Sequence, residues 1–370
     1  MINVLVGTKG QLIKMAPIMK EMDRRGIEYN FINANQHTKI LDEISKLFEL
    51  KKPDFVLEGF EKDITNVREM LWWGSKNVWE CGLSKKHKIF LKDKNTNILL
   101  VHGDAPPALL GLVLGKLNKL KIAHIEAGLR SRNIFQPFPE ELIRIIVDKN
   151  SDYLFSDGVN NGYQNLLKEK VKGKIYDTSL NTIFDAVKIA TSSMKSIPTP
   201  KEEYVLVSIH RFETISSKKR MKSIINILKE ISKNRLVIFP LHESTREKLK
   251  SFGLLNLLEK NTNIQIMQLL DYFSFVTFMK NSIYIITDGG GPQEESYYLG
   301  TPCLLLREYT ERTIHPNTCL AGFDENKIRL FIRNYENYRI NTFLKEFKDY
   351  SPSKKIVDIL LQCQNKMVGL

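Results

Sequence analysis

A chain of 370 residues is long for a single core and suits two domains of roughly 150–200 residues each. With 42% hydrophobic and 26% charged residues it has the composition of a globular protein; no apolar run approaches the ~20 residues of a membrane span, and the opening MINVLVGTKG reads as strand and turn rather than signal peptide. The net charge of +13 comes mostly from scattered lysines, as in KEKVKGK and HKIFLKDK. Without arginine clusters or an aromatic–basic motif, this points away from nucleic acid and toward a solvated basic surface with some attraction for small anions. Cys81, Cys303, Cys319 and Cys363 lack metal-type spacing, and a disulfide framework is not expected at this size. The expectation is a cytoplasmic protein with no metal and no cofactor.

In chain order, INVLVGT (2–8) predicts a strand, and the apolar spacing from about Gln11 to Arg24 predicts a helix. YNFINA and a helix near Ile40–Phe48 follow. REMLWWGSKNVWECG (68–82), with Leu71, Trp72 and Trp73, reads as a long packed helix or a dimer contact. NILLVHG (97–103), KIAHIEA (121–127) and DYLFSDG (152–158) predict further strands, each followed by a helical stretch. Continuous apolar strands separated by helices argue for parallel sheet built from βαβ units. The polar, proline-containing SSMKSIPTPKEE (192–203) reads as a linker. The pattern then restarts with YVLVSIH (204–210), RLVIFPLH (235–242), IQIMQLL (264–270), SIYIIT (282–287) and PCLLLRE (302–308), and ends in helical patterns over about 325–345 and 353–366. The expected organisation is α/β: one domain over 1–190, a second over 203–350, and a C-terminal helix in 351–370 packing back on the first.

Ligands of open parallel sheets sit beyond the carboxyl ends of the strands. Lys9, His102 with Asp104, Glu126, His210, His242 and Asp288 all follow or end strands, so two sheets face to face would gather them in an interdomain cleft. Gly289, Gly290 and Gly291 precede a helix beginning near Pro292; backbone N–H groups there favour an anion, and bare backbone admits a diphosphate. A tight turn at positive φ is the alternative. Glu295, one turn into that helix, is within reach of a ribose diol, whereas Glu294 faces elsewhere and reads as structural.

VHGDAPPALLG (101–111), HIEAGLRSRN (124–133) and PFPEELIRIIVDK (137–149) contribute three acids, Asp104, Glu126 and Glu140. Crowded carboxylates suit proton transfer, although each alone could cap a helix or pair with a base. Glu140 and Arg144 lie four apart on one helix face, so Arg144 can orient or neutralise that acid. His210, with Arg211 beside it, can bond a leaving phosphate or serve a structural role at its strand end. No DxD or His/Cys cluster points to a metal.

The segments GTKGQLIKMAPI, HGD, HIEAGLRS, PFPEE with Arg144 after it, SIHRFE, PLH, TDGGGPQEE and TERT occur in the order and spacing of the non-hydrolysing UDP-N-acetylglucosamine 2-epimerases. The chain resembles that family from about residue 3 to residue 350. The resemblance implies a glycosyltransferase-B-like fold of two Rossmann-like doubly wound domains facing across a cleft. It also implies inversion at C2 of UDP-GlcNAc to UDP-ManNAc: the C2 proton is abstracted, UDP is eliminated to leave a bound 2-acetamidoglucal, and UDP adds back. Carried over by matched position, Asp104, Glu126 and Glu140 are the acid/base candidates and His210 sits by the leaving diphosphate. Gly289, Gly290 and Gly291 would hold phosphates, Glu295 the ribose, and Lys14 and Arg312 anionic oxygens, with Lys9, Arg144 and His242 completing the substrate-binding set. The implied partners are a UDP-sugar and a second copy of the chain, as a homodimer.

The chain also departs from that family. Lys9 stands for an arginine and Gly10-Gln11 for Pro-Glu; Ala105 replaces a threonine, Phe212 an arginine, Gly289 a serine and Thr313 a proline. Gln36–Lys39 read QHTK instead of the QHRE linked to allosteric substrate binding, so no allosteric site is expected there. The acids stay while the phosphate and sugar surroundings change, which suits a modified sugar such as a 2,3-diacetamido or uronate derivative. Two other classes fit the same cleft. One is a glycosyltransferase using a nucleotide sugar for surface polysaccharide, with its acceptor groove around 68–82. The other is a non-catalytic nucleotide-sugar binder, which would be expected to have lost a carboxylate; none is missing.

Overall fold

The computed structural model describes residues 1–35, 38–59, 67–83, 89–90, 97–133, 139–193 and 197–368. Gln36, His37, Pro137, Phe138 and residues 194–196 of the expected linker lie outside these. The chain forms two compact units, residues 1–186 together with 351–370, and residues 187–350.

The first unit is built on a seven-stranded sheet of β1 (Ile2–Val6), β2 (Tyr29–Asn33), β3 (Phe55–Val56), β4 (Ile98–His102), β5 (Lys121–Ile125), β6 (Tyr153–Ser156) and β7 (Lys174–Asp177), in the order β3-β2-β1-β4-β5-β6-β7. Every pairing is parallel. INVLV and ILLVH are buried along their whole length, as strands covered on both faces must be. The strand order reverses between β1 and β4, which makes their carboxyl ends the switch point of the sheet.

Two helices flank that point. Lys9–Arg24 starts at Thr8, whose hydroxyl accepts from the Gln11 N–H while the Gln11 side chain accepts from the Thr8 N–H, a capping box that moves the helix start two residues ahead of the expected Gln11. Pro106–Leu117 opens on a proline, suited to a first turn whose N–H groups lack helical partners. The C-terminal helix Pro352–Val368 belongs to this unit. It buries Ile356, Val357 and Leu360; Asp358 pairs with Arg25 at 2.5 Å, and Ser353 N and Ser351 Oγ both donate to Asp185 at 2.8 Å.

The second unit has six parallel strands, β8 (Tyr204–Ser208), β9 (Leu236–Pro240), β10 (Ile264–Met267), β11 (Tyr284–Thr287), β12 (Cys303–Leu305) and β13 (Thr318–Leu320), ordered β10-β9-β8-β11-β12-β13. Its switch point lies between β8 and β11. Both units are thus doubly wound α/β sheets of Rossmann type.

Three details differ from the expected elements. The pattern read over 325–345 divides into Glu325–Arg333, a 3₁₀ turn at Tyr335–Tyr338 and a short helix Phe343–Glu346, which restarts because the Thr342 hydroxyl accepts from Leu344 N–H. The division between the units, at 186/187, falls inside the helix Ile183–Ser192. The tryptophan segment is a helix, Val67–Asn77, that widens into a π-helical stretch, Val78–Leu83. Trp73 packs in the core, while Trp72 and Trp79 stay 51% and 63% exposed. Among the described residues no helix is long and apolar enough to cross a membrane.

Candidate active site

At the carboxyl edge of the first sheet the polar groups converge on Glu126. This residue leaves β5 with φ of +64°, a left-handed backbone that costs a non-glycine residue roughly 1–3 kcal/mol and recurs where function demands it. Its carboxylate is buried. Lys14 Nζ, from the helix after β1, donates to Oε1 at 2.5 Å, Asn181 Nδ2 donates to the same oxygen at 3.0 Å, and His102 Nε2 lies 3.4 Å from Oε2. Gly103, at φ +63°, passes close enough that a Cβ there would stand 3.5 Å from Oε2. Lys14 therefore neutralises a protein carboxylate.

Asp104 follows β4, and the buried Arg144 guanidinium donates to it and, at 2.5 Å, to Glu141. The spacing makes Glu140, half-buried in the first helical turn, a neighbour of Arg144; the structure adds Asp104 and Glu141 as its partners. The reason is helical phase: Glu141, Arg144 and Asp148 lie at i, i+3 and i+7 of the helix Glu140–Asn150, one inward face. Asp148, fully buried, accepts from Gly128 N–H at 3.1 Å and Arg130 Nη1 at 2.7 Å, and lies 2.7 Å from His124 Nδ1. Burial acts to raise its carboxyl, but His124 and Arg130 outweigh that and hold it below the usual carboxylate range. His124 Nε2 lies 2.8 Å from the Gly103 carbonyl oxygen, so this network fixes the turn next to Asp104.

The second unit presents a matching edge. Asp288, buried after β11, accepts from the backbone N–H groups of His210 and Arg211, which follow β8. Burial raises its carboxyl against the pull of those hydrogen bonds. The rings of His210 and His242 stack at 4.5 Å. Gly289 caps the helix Gly290–Leu299 with φ −91°, and none of Gly289, Gly290 and Gly291 is at positive φ. The turn reading of these glycines is therefore replaced by one of space. A Cβ on Gly289 would stand 3.2 Å from His210 Cε1, and one on Gly290 3.1 Å from Arg312 Nε.

Arg312 pairs with the buried Glu294, and Arg307 with Glu311 at 2.9 Å. Burial acts against the charge of Glu311, yet Arg307, Arg312 and Arg211 hold its carboxyl at about 2. Glu295 is buried beside Tyr272, whose hydroxyl is pushed well up by burial and by Glu295. Lys9 opens the helix after β1, half-buried, and Phe212 is 73% exposed beside His210 and Arg211.

Asp104, Glu126, Lys14 and Arg144 are thus brought to one sheet edge, and His210, His242, Gly289, Gly290, Gly291, Glu295 and Arg312 to the other, each within its own unit. Sequence reasoning missed Glu141, His124, Asp148, Asp157, Asn181 and Tyr272; the i, i+3, i+7 spacing of Glu141, Arg144 and Asp148 was the one signal available. Among the described residues no group of three or more His, Cys, Asp or Glu side chains is arranged to hold a metal ion.

Comparison with known proteins agrees with the fold. A family model described as UDP-N-acetylglucosamine 2-epimerase matches residues 20–361. The chain is 36% identical over 350 residues to a UDP-N-acetylglucosamine 2-epimerase of Methanococcus maripaludis, covering 88% of this chain and 89% of the relative. Its fold is similar to that of the Neisseria meningitidis UDP-GlcNAc 2-epimerase bound to UDP-GlcNAc, with a TM-score of 0.82, 27% identity and coverage of 98% and 99%. The Methanocaldococcus jannaschii UDP-GlcNAc 2-epimerase in complex with UDP-GlcNAc and UDP is similar with a TM-score of 0.78 and 28% identity, again over 98% and 99% of the two chains. A family match along most of its length, joined to these relatives, means that the chain belongs to the UDP-N-acetylglucosamine 2-epimerase family.

Proposed function

We propose that this chain is an isomerase that inverts C2 of UDP-GlcNAc to give UDP-ManNAc, or acts likewise on a modified derivative. The observation that carries the reading is Glu126, a buried carboxylate on left-handed backbone beside the strand switch, held by Lys14 and sharing its sheet edge with Asp104. A carboxylate from the set Asp104, Glu126 and Glu140 takes the C2 proton; the C–H electron pair forms the C1–C2 double bond, and UDP leaves with the C1–O pair. UDP oxygen then adds back to C1 while a second acid delivers a proton to the other face of C2. Throughout, UDP must be retained, and this falls to the second unit. The N–H groups of Gly290 and Gly291 and the side chains of His210, His242 and Arg312 bind the diphosphate, and Glu295 takes the ribose.

The exposed Trp72 and Trp79 support a homodimer contact, and the composition supports a cytoplasmic protein. Proton NMR of the chain with UDP-GlcNAc in deuterated water tests the reading. UDP-ManNAc signals should appear with deuterium at C2. Binding of UDP without any exchange, for the 3-acetamido and uronate analogues as well, would sink it in favour of transfer to an acceptor.

A further inference from the structure

The end of β6 carries a carboxyl group that the proposed reaction does not use. Asp157 directly follows Tyr153–Ser156, and Asn181 lies in the loop after β7, so three neighbouring strands, β5, β6 and β7, bring Glu126, Asp157 and Asn181 together at one edge. The Asn181 amide bridges the two acids: its Nδ2 donates to Glu126 Oε1 at 3.0 Å and to Asp157 Oδ2 at 3.2 Å. Both carboxyls line a cavity of about 10 Å³, walled by Ile125, Phe155, Thr178, Thr182 and Ile356 of the C-terminal helix. That volume is the room one water takes. Thr182 Oγ1, buried in this wall, has no hydrogen-bond partner among the described residues.

Two acids that share one amide and one small polar cavity do not both ionise freely. Lys14 Nζ sits on Glu126 and His102 lies on its other side, which favours the ionised form there. Among the described residues the donors to Asp157 are neutral, the Asn160 N–H at 2.8 Å with the Asn160 side chain and the Asn181 amide, and the charge that acts on it is Glu126; burial first, and then that charge, push its carboxyl up against those bonds. Asp185, on the helix behind the wall, is bound by Ser351 and Ser353.

We propose that Asp157 is the proton partner of Glu126: the two carboxyls hold one proton between them, resting on Asp157, and pass it across the cavity so that Glu126 acts as the acid on one face of C2 while another carboxylate of the set is the base on the other; after turnover the base releases its proton to solvent and the pair regains one from it. The transfer is balanced: Asp157–CO₂H and Glu126–CO₂⁻ become Asp157–CO₂⁻ and Glu126–CO₂H, the proton on Glu126 goes to C2 of the glycal as UDP oxygen bonds to C1, and solvent returns one proton to the pair. This rests on Glu126 being an acid/base group of the epimerisation. Asp157 itself touches no reacting atom and is a positioning residue.

The test is infrared difference spectroscopy of the full chain during a pH titration, with turnover measured in parallel. The wild type should show the C=O stretch of one protonated carboxyl at neutral pH that Asp157→Asn removes. In Glu126→Gln that band should persist and titrate at lower pH, because the like charge beside Asp157 is gone. Asp157→Asn should lower kcat about tenfold with KM little changed, and abolish the alkaline limb of the kcat profile. If Asp157→Asn removes no band, or if the Asp157 band titrates unchanged in Glu126→Gln, the shared proton does not exist. If the Asp157→Asn profile keeps the wild-type limbs at reduced height, the residue is only structural. The infrared arm is independent of turnover, so an active Glu126→Gln enzyme would overturn the acid/base reading while leaving the pairing itself measurable.

Discussion

Gln11 makes bonds that an acid in its place would split. Its Oε1 accepts from the N–H groups of Gly7 and Thr8 at 2.9 and 3.2 Å, and its Nε2 donates to the His102 carbonyl at 2.8 Å, joining the ends of β1 and β4 across the switch point. A carboxylate could keep the first two and would face the carbonyl with no proton to offer. Gln11→Glu should therefore cost about 1–3 kcal/mol, the penalty for a buried acceptor left without its donor and set against like charge. Urea titration checks this, and an unchanged midpoint would show that the helix start tolerates the acid.

The helix Glu140–Asn150 inverts the usual amphipathic arrangement, since part of its inward face is charged. Asp148 is the anchor of that face: His124, Arg130 and Gly128 all point at it. Asp148→Ala would leave His124 and Arg130 buried without their shared acceptor and should destabilise the first unit by about 3–5 kcal/mol, as breaking a buried pair does. Limited proteolysis within residues 97–170 reads this directly; protection equal to wild type would mean that Glu169 alone holds Arg130. This helix also shows where the sequence was legible. Strands such as INVLV and ILLVH declared themselves because a buried parallel strand is a continuous apolar run, and the sheet-edge rule then placed Glu126, Asp104 and His210. Period and composition cannot say which of two adjacent glutamates faces inward when the inward face is polar, so the bond from Arg144 to Glu141 was not legible. The partners of Asp148 and the bridge from Asn181 to Asp157 depend on how separate βα units pack. Likewise the crowding of Gly289 by His210 joins residues from two strands, and a local glycine run carries no trace of it.

Across the second unit as a whole, two buried groups make stability depend on acid in the same direction. His315 stacks flat on Tyr297 at 3.6 Å with 9% of its surface exposed, and burial lowers its titration from the usual 6.5 to about 4. Below pH 6.5 the unfolded chain gains a proton that the folded unit refuses, so stability is full above 6.5 and falls as the pH drops toward 4. The lowered value amounts to roughly 2–3 kcal/mol by pH 4. Glu311, held at about 2 against a usual 4.5, continues the loss from pH 4.5 toward 2, because protonating it removes its attraction to Arg307 and Arg312. Asp288 runs the other way, since its raised carboxyl contributes stability at low pH that is lost as the pH rises through its folded value. One such residue offsets part of the acid loss and leaves the step near pH 5 to His315. Hydrogen exchange of the full chain, corrected for intrinsic rates and read in peptides from 187–350, should show protection falling by about tenfold or more between pH 7 and pH 5. His315→Phe keeps a ring on Tyr297 and removes the titration, so its protection should stay level over that interval. Equal losses in the two proteins would place the acid sensitivity elsewhere in the unit.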